Sequence, residues 1–148
     1  GFLLDRLEPI LLEEGVTVEE LRAARGAEAA EPVDVAARAR ALHAFAGPER
    51  DGVRDAYNRC VRIAGETAPG RVDDSLLQDA AERELAAAMA EPPATLEAAA
   101  ALVPAVNRFF EDVLVMAPDE AVRRNRLTLV ANVAAALGRL ADFGRLRG

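Results

Sequence analysis

Apolar positions along the chain recur at three- and four-residue spacing, and alternating apolar and polar runs are missing, so the pattern predicts helices from end to end. Residues 2–14 place Phe2, Leu3, Leu7, Ile10 and Leu11 on one side of a helix that Gly15 closes, with Pro9 marking a kink or a restart. Thr17 and Glu20 have the spacing of a capping box for a second, short helix ending near Gly26, and residues 27–31 read as a linker. Pro32 suits a first helical position, and Val35, Ala39, Leu42 and Phe45 face inward before Gly47-Pro48 breaks that helix. Over residues 49–64, Val53, Tyr57, Cys60 and Ala64 form an apolar face, and Arg50, Arg54, Asn58 and Arg62 form a polar stripe four residues apart. Residues 66–72, with Pro69-Gly70, are the clearest loop and the best site for mobility.

Beyond that loop, Asp73, Asp74 or Ser75 can cap a helix running to about Ala90, with Leu77, Ala81, Leu85 and Ala88 inward and Pro92-Pro93 behind it. Thr95 can cap the next helix, in which Pro104 predicts a kink or a fresh start. Val106, Phe109, Phe110 and Val113 supply most of the large apolar side chains there. Pro118 or Asp119 opens a last helix reaching about Asp142, with Val130, Val133, Leu137 and Leu140 inward. Phe143-Gly144 stops it, and residues 145–148 are expected to fray. The expectation is an all-α fold, one bundle of six or seven helices over residues 1–148.

Composition sharpens this picture. Half of the residues are hydrophobic, but 33 of the 148 are Ala and only 4% of the chain is aromatic, which favours closely packed helices over strands. No apolar run is long enough to span a membrane, and the start lacks a signal peptide's charged region. A single cysteine fits a reducing, cytoplasmic setting, and the abrupt start suits a domain cut from a longer protein. All 18 basic residues are Arg, and the net charge of −7 argues against sequence-independent binding to nucleic acid, so DNA is not an expected partner. The charge is nevertheless uneven: residues 36–72 carry a net +3 and residues 121–148 a net +5, between acidic stretches. If the two basic segments meet, the chain acquires a local positive face; the acidic stretches can equally neutralise them.

Candidate chemistry is sparse. With one His, one Cys and one Ser, nothing assembles a nucleophile with its base, so no catalytic residue is assigned. Cys60 on an apolar face reads as a small buried hydrophobe, and His43 reads as a partly buried or capping imidazole. No second His or Cys gives metal-ligand spacing. Asp73-Asp74 and Asp119-Glu120 sit at helix starts, where the dipole explains them, and no Gly-rich phosphate loop is present. The arginines remain. Those on the 50–62 stripe either pair within their helix with Glu49, Asp51, Asp55 and Glu66 or meet a ligand. Tyr57 is either a core contact or a stacking platform.

Residues 104–130 concentrate the polar groups. Phe109 and Phe110 precede Glu111 and Asp112, and Arg123, Arg124, Asn125 and Arg126 open the next helix. This is a salt-bridged hairpin corner or a binding face. Phe109, Phe110, Asp112 and Arg126 read as structural, with Glu111 or Asp112 as the natural partner of Arg126, whereas Arg123 and Arg124 are freer to meet phosphate.

The same stretch carries a resemblance. Phe-Phe-Glu-Asp-Val-Leu-Val-Met-Ala (109–117), Asp-Glu-Ala-Val-Arg (119–123), Asn-Arg-Leu (125–127) and Ala141-Asp142-Phe143 look like the end of the bacterial glycyl-tRNA synthetase beta subunit, a DALR-type anticodon-binding domain. Phe-Leu-Leu-Asp-Arg-Leu (2–7), Glu14-Gly15 and Ala56-Tyr57-Asn58-Arg59 extend the likeness over nearly the whole chain. Val122 stands where the family's name motif has leucine, a conservative departure. Arginyl-tRNA synthetases end in a related helical domain and are the near alternative; a helical protein-interaction module is the alternative from another class. The resemblance implies recognition of the anticodon arm of glycine tRNA, with Arg54, Tyr57, Asn58, Arg59, Arg62, Arg123 and Arg124 on the RNA-facing side. It also implies that the remainder of the beta subunit and the alpha subunit are partners. ATP and glycine would then be used elsewhere in the parent enzyme, with no cofactor in this domain.

Overall fold

A computed structural model describes residues 2–26 and 32–147; the expected linker at 27–31 lies outside them, as do the side chains of Phe2 and Leu3. Among the described residues there are seven α-helices and no strand: α1 Phe2–Glu13, α2 Val18–Arg25, α3 Pro32–Ala44, α4 Pro48–Ala64, α5 Ala80–Ala88, α6 Leu96–Asp112 and α7 Glu120–Leu140. The fold is all-α, as the periodicity predicts. Helices α4, α6 and α7 form its centre, with α5 against α6 and α1–α3 packed on one another. Gly52 lies against Val103 and Arg59 over Phe110, so α4 and α6 run parallel. The link 113–119 then returns the chain, and α7 runs back along α4 with Gly138 against the Tyr57 ring. Val53, Cys60, Val106, Phe109, Val130, Val133 and Leu137 are buried between these three helices.

Local signals account for most helix starts. Thr17 and Glu20 close a full capping box on α2, Thr95 accepts the Ala98 N–H at 3.0 Å, and Asp119 accepts the Val122 N–H at 3.0 Å. Both internal prolines are absorbed: α1 continues through Pro9 and α6 through Pro104, with no fresh start at either. The expected helix from 73 is corrected. Asp73 caps only a 3₁₀ turn, Asp74–Leu76, and the α-helix begins six residues later behind Asp79, whose own capping box with Glu82 sets the start. Ala88, expected inward, is exposed. The expected fraying after Phe143 is corrected too, up to Arg147. Phe143–Arg145 is a 3₁₀ turn, Phe143 and Leu146 are buried, and the Asp142 N–H donates to the Ala23 carbonyl at 2.9 Å. The chain's end therefore stitches α2 to the central helices.

Nor is the 66–72 loop left loose. Two asparagines on one face of α7, two turns apart, hold its backbone with both arms of their amides. Asn132 accepts from the Gly70 N–H at 2.9 Å and donates to the Gly70 carbonyl at 2.8 Å. Asn125 does the same for Asp73, at 2.7 and 3.0 Å. Each side chain imitates a neighbouring strand, satisfying backbone groups that an extended segment otherwise leaves to water.

Two buried glutamates join separate helices. Glu82 is fully buried: it accepts from the backbone N–H groups of Gln78 and Asp79, and it binds Arg126 through Nε and Nη2 at 3.2 Å each. Arg126 also donates to the Leu114 carbonyl at 2.6 Å, which corrects the expected pairing with Glu111 or Asp112. Those two carboxylates end α6 in exposed positions, while Glu82 sits inside where the guanidinium is. Glu20 repeats the arrangement, accepting from the Thr17 N–H and from the Arg50 guanidinium, with His43 Nδ1 at 3.0 Å. Burial pushes the Glu82 carboxyl up, but its hydrogen bonds from Arg126, Gln78 and Asp79 outweigh that and hold it below the ordinary 4.5.

Arg126→Met should therefore destabilise the fold by about 3–5 kcal/mol at neutral pH, because a buried carboxylate loses its counter-charge. A folded-state pKa depressed below 4.5 contributes stability above that value and loses it as pH falls. The gap between wild type and variant, measured by urea unfolding, should thus narrow steadily below pH 4.5. Asn125→Asp, which cannot donate to the Asp73 carbonyl, should cost about 1–3 kcal/mol. It should also speed amide exchange at Asp73 while leaving the interior of α4 protected.

Candidate nucleic-acid interface

Between the parallel helices α4 and α6 lies an open cleft of about 480 Å³. It is lined by Asp55, Ala56, Asn58, Arg59 and Arg62 from α4 and by Asn107 from α6. On α4 the inward stripe of Val53, Ala56 and Cys60 turns Asp55, Asn58, Arg59 and Arg62 toward the cleft and solvent. Ala56 forms the floor, and no large apolar side chain fills the gap. The Arg59 guanidinium stands 5.0 Å from the centroid of Phe110, whose ring meets Phe109 edge-on at 5.4 Å. A cation over an aromatic face is held by the ring quadrupole, so Arg59 is oriented without losing its charge. Among the described residues, Arg59 and Arg62 form no salt bridge.

The residues nominated for RNA divide into three groups. Asn58, Arg59 and Arg62 come together in the cleft. Arg124 is exposed on α7, bonded at 2.6 Å to an equally exposed Glu120. Arg54, Tyr57 and Arg123 are committed inside the protein. Arg54 reaches Asp51 at 3.1 Å and Asp55 at 3.0 Å, and only 14% of its side chain is exposed. The half-buried Tyr57 ring packs on Phe143 with centroids 5.9 Å apart. Arg123 donates to the carbonyls of Ala117 and Pro118 at 2.9 and 3.4 Å, bracing the turn into α7. Of the four residues read as structural, Phe109 is fully buried, Phe110 packs partly buried on the core, and Arg126 is buried. Asp112 is exposed and acts only through its charge on Arg108.

Sequence reasoning passed over Asp55 as a cleft residue and did not single out Asn107. No local pattern announces Asn107, because its role comes from the register of α6 on α4. Asp55 is legible in the sequence as an intrahelical partner for the arginines of its own helix, and it pairs with Arg54. Elsewhere, the buried Cys60 thiol is pushed up to about 12 by desolvation, which leaves it protonated and unreactive at neutral pH. Among the described residues, no cluster of His, Cys, Asp and Glu could hold a metal ion, and no helix is long and apolar enough to cross a membrane.

Comparison with known proteins places this geometry. The family model described as the DALR anticodon binding domain matches residues 53–142, from the buried face of α4 to the end of α7. The chain is 38% identical over 98% of its length to a glycine–tRNA ligase beta subunit from Leptothrix cholodnii, of which it covers 23%. It is 36% identical over 99% of its length to the protein of that name from Chromohalobacter salexigens, covering 24%. A third relative of the same name, from Anaeromyxobacter sp., is 41% identical over 78% of the chain and is covered for 19%. The chain thus spans about a quarter or less of the length of these curated relatives. The match takes in both helices of the cleft and the long helix that supports them: the chain belongs to the DALR anticodon binding domain family.

Proposed function

We propose that this chain is the anticodon-arm recognition module of a glycine–tRNA ligase beta subunit, gripping glycine tRNA while aminoacylation proceeds elsewhere in the complex. The observation that carries this reading is the coincidence of the family match with a cleft that holds two arginines, Arg59 and Arg62, with no salt bridge among the described residues. An anticodon is a single-stranded loop whose bases splay, stack on aromatic or guanidinium planes and are read on their edges. Arg59, held over the Phe110 ring, offers such a plane, and Asn58, Asn107 and Arg62 offer edge partners. Helix α7 begins at the end of the bundle where α4 and α6 finish, so exposed Arg124 stands at the same end as Arg62 and can meet phosphate. The relatives' names favour glycine over the arginyl alternative. ATP, glycine and the alpha subunit belong to the rest of the assembly on this reading, in the cytoplasm where translation takes place.

A protein-docking role is favoured by a different surface. Residues 113–117 alternate, with Val113, Val115 and Ala117 buried and Leu114 and Met116 turned out, 65% and 62% exposed. Carboxylates flank this ridge on both sides: Glu111 and Asp112 before it, Asp119 and Glu120 after it. An apolar ridge with an acidic rim suits contact with another protein surface, such as the remainder of the subunit, better than contact with phosphate.

In the full-length protein that carries this chain, assembled with its partner subunit, Arg62→Glu should raise the KM for glycine tRNA roughly tenfold at moderate salt, or about 1.4 kcal/mol, with kcat little changed. Arg124→Glu should have a smaller effect, because Glu120 already offsets part of that charge. Unchanged KM and an unchanged anticodon footprint in both variants, with melting temperatures preserved, would place the RNA on another face.

A further inference from the structure

Within the cleft, two opposite charges that should pair are kept apart. Asp55 and Arg59 stand four residues apart on α4, the spacing at which a carboxylate and a guanidinium ordinarily join across one turn. No such bridge forms. Arg54 takes Asp55 instead, directing both Nε and Nη2 to the same oxygen, Oδ1, at 3.1 and 3.0 Å. The Phe110 ring takes the guanidinium of Arg59. Among the described residues Asp55 Oδ2 has no partner, and the N–H groups at the edge of Arg59 have none either. Both side chains line the same cleft, one helical turn apart, with the amides of Asn58 and Asn107 alongside. An acceptor and a donor are therefore held open at fixed spacing by two neighbours that prevent their mutual neutralisation.

We infer that this pair reads the edge of one unpaired nucleobase that carries an amino donor beside a ring-nitrogen or carbonyl acceptor (cytosine, adenine or guanine), and that it rejects uracil. Asp55 Oδ2 accepts the exocyclic or imino N–H, and Arg59 or an asparagine amide donates to the acceptor beside it. Uracil presents two carbonyls around a single N–H, so it leaves the carboxylate facing a lone pair in the register that suits cytosine, an unfavourable contact. Arg54 is then a positioning residue: its guanidinium fixes the rotamer of Asp55 and touches no base. The inference rests on the anticodon-arm reading above, and it assigns that surface a base preference that phosphate contacts cannot supply.

The test uses the full-length protein assembled with its partner subunit, and glycine tRNA transcripts in which each anticodon cytosine is replaced in turn by uracil. Wild type should prefer cytosine at one position by roughly 10-fold or more, the size of one well-formed edge contact. Asp55→Asn should shrink that ratio at that position alone, mainly by losing affinity for the cytosine transcript. Arg54→Gln should shrink it partially, with the affinity for the uracil transcript preserved. Asp55 is an exposed surface carboxylate, so Asp55→Asn should melt near the wild-type temperature, and the melting temperature of both variants is measured in parallel. A cytosine-to-uracil ratio unchanged by Asp55→Asn overturns the inference. So does a uniform gain for every transcript, which would mean that a phosphate rather than a base occupies the cleft. If Arg62→Glu weakens all transcripts while the ratio ignores Asp55, the anticodon-arm reading stands without this assignment. If neither substitution matters, both fall.

Discussion

The buried ion pair between Glu82 and Arg126 is the contact on which the rest of this structure depends. Glu82 sits at the third position of α5, where its carboxylate closes a capping box on Asp79, and the same carboxylate holds the guanidinium of an α7 arginine. The arginine in turn grips the Leu114 carbonyl in the link between α6 and α7. One charge pair thus sets where α5 begins, how α5 lies on α7, and where the chain passes as it leaves α6. A desolvated pair adds little net stability over an apolar substitute, because the cost of removing two charges from water offsets their attraction. What it supplies is registration: shift α7 by one residue and a bare carboxylate is left in the core.

Glu20 does the same at the other end of the molecule, capping α2 while it binds Arg50 of α4. Both networks draw on the same resource. An all-α chain with no lysine has only guanidinium groups for its cationic contacts, and several of its central arginines serve the fold. Arg50, Arg54, Arg123 and Arg126 are turned to carboxylates or carbonyls of the protein. The cleft arginines differ because an aromatic ring, rather than a carboxylate, orients Arg59, and because Arg62 reaches no acid among the described residues. In this fold, that is how two guanidinium groups stay open to solvent on a chain of net charge −7.

Helix periodicity and cap chemistry made most of the fold legible. Val53, Cys60, Val130, Val133 and Leu137 are buried on the faces where the three-and-four spacing puts them, and Thr17, Thr95 and Asp119 cap as their positions suggest. The misread start of α5 has a local cause. Three capping residues at 73–75 outbid Asp79 by eye, yet only Asp79 has a glutamate three residues on, and that reciprocal bond is what decides a start. The site was less legible because it depends on partners distant in sequence. Arg54 and Arg62 occupy equivalent positions on one stripe, and nothing local says that the first is bound and the second is open. Asn107 becomes a cleft residue only through the parallel register of α6, and Glu82 becomes the partner of Arg126 only once α5 has been placed.

The proposed grip on RNA by an anionic protein sets a particular constraint. Most proteins gain their affinity for nucleic acid from phosphate neutralisation and counterion release, a term that is indifferent to sequence. Here the net charge of the molecule opposes the backbone, so that term is small and acts where arginines such as Arg62 and Arg124 stand clear of acids or share one weakly. Whatever affinity the α4–α6 cleft has must then come from stacking on a guanidinium plane and from contacts to base edges, which are short-ranged and dependent on base identity. The same charge balance that weakens binding in general weakens binding to the wrong RNA most, because an incorrect loop has only the phosphate term to rely on. On the function proposed above, an acidic surface around a small, mixed donor–acceptor cleft raises the ratio of right to wrong RNA partners at the expense of absolute affinity.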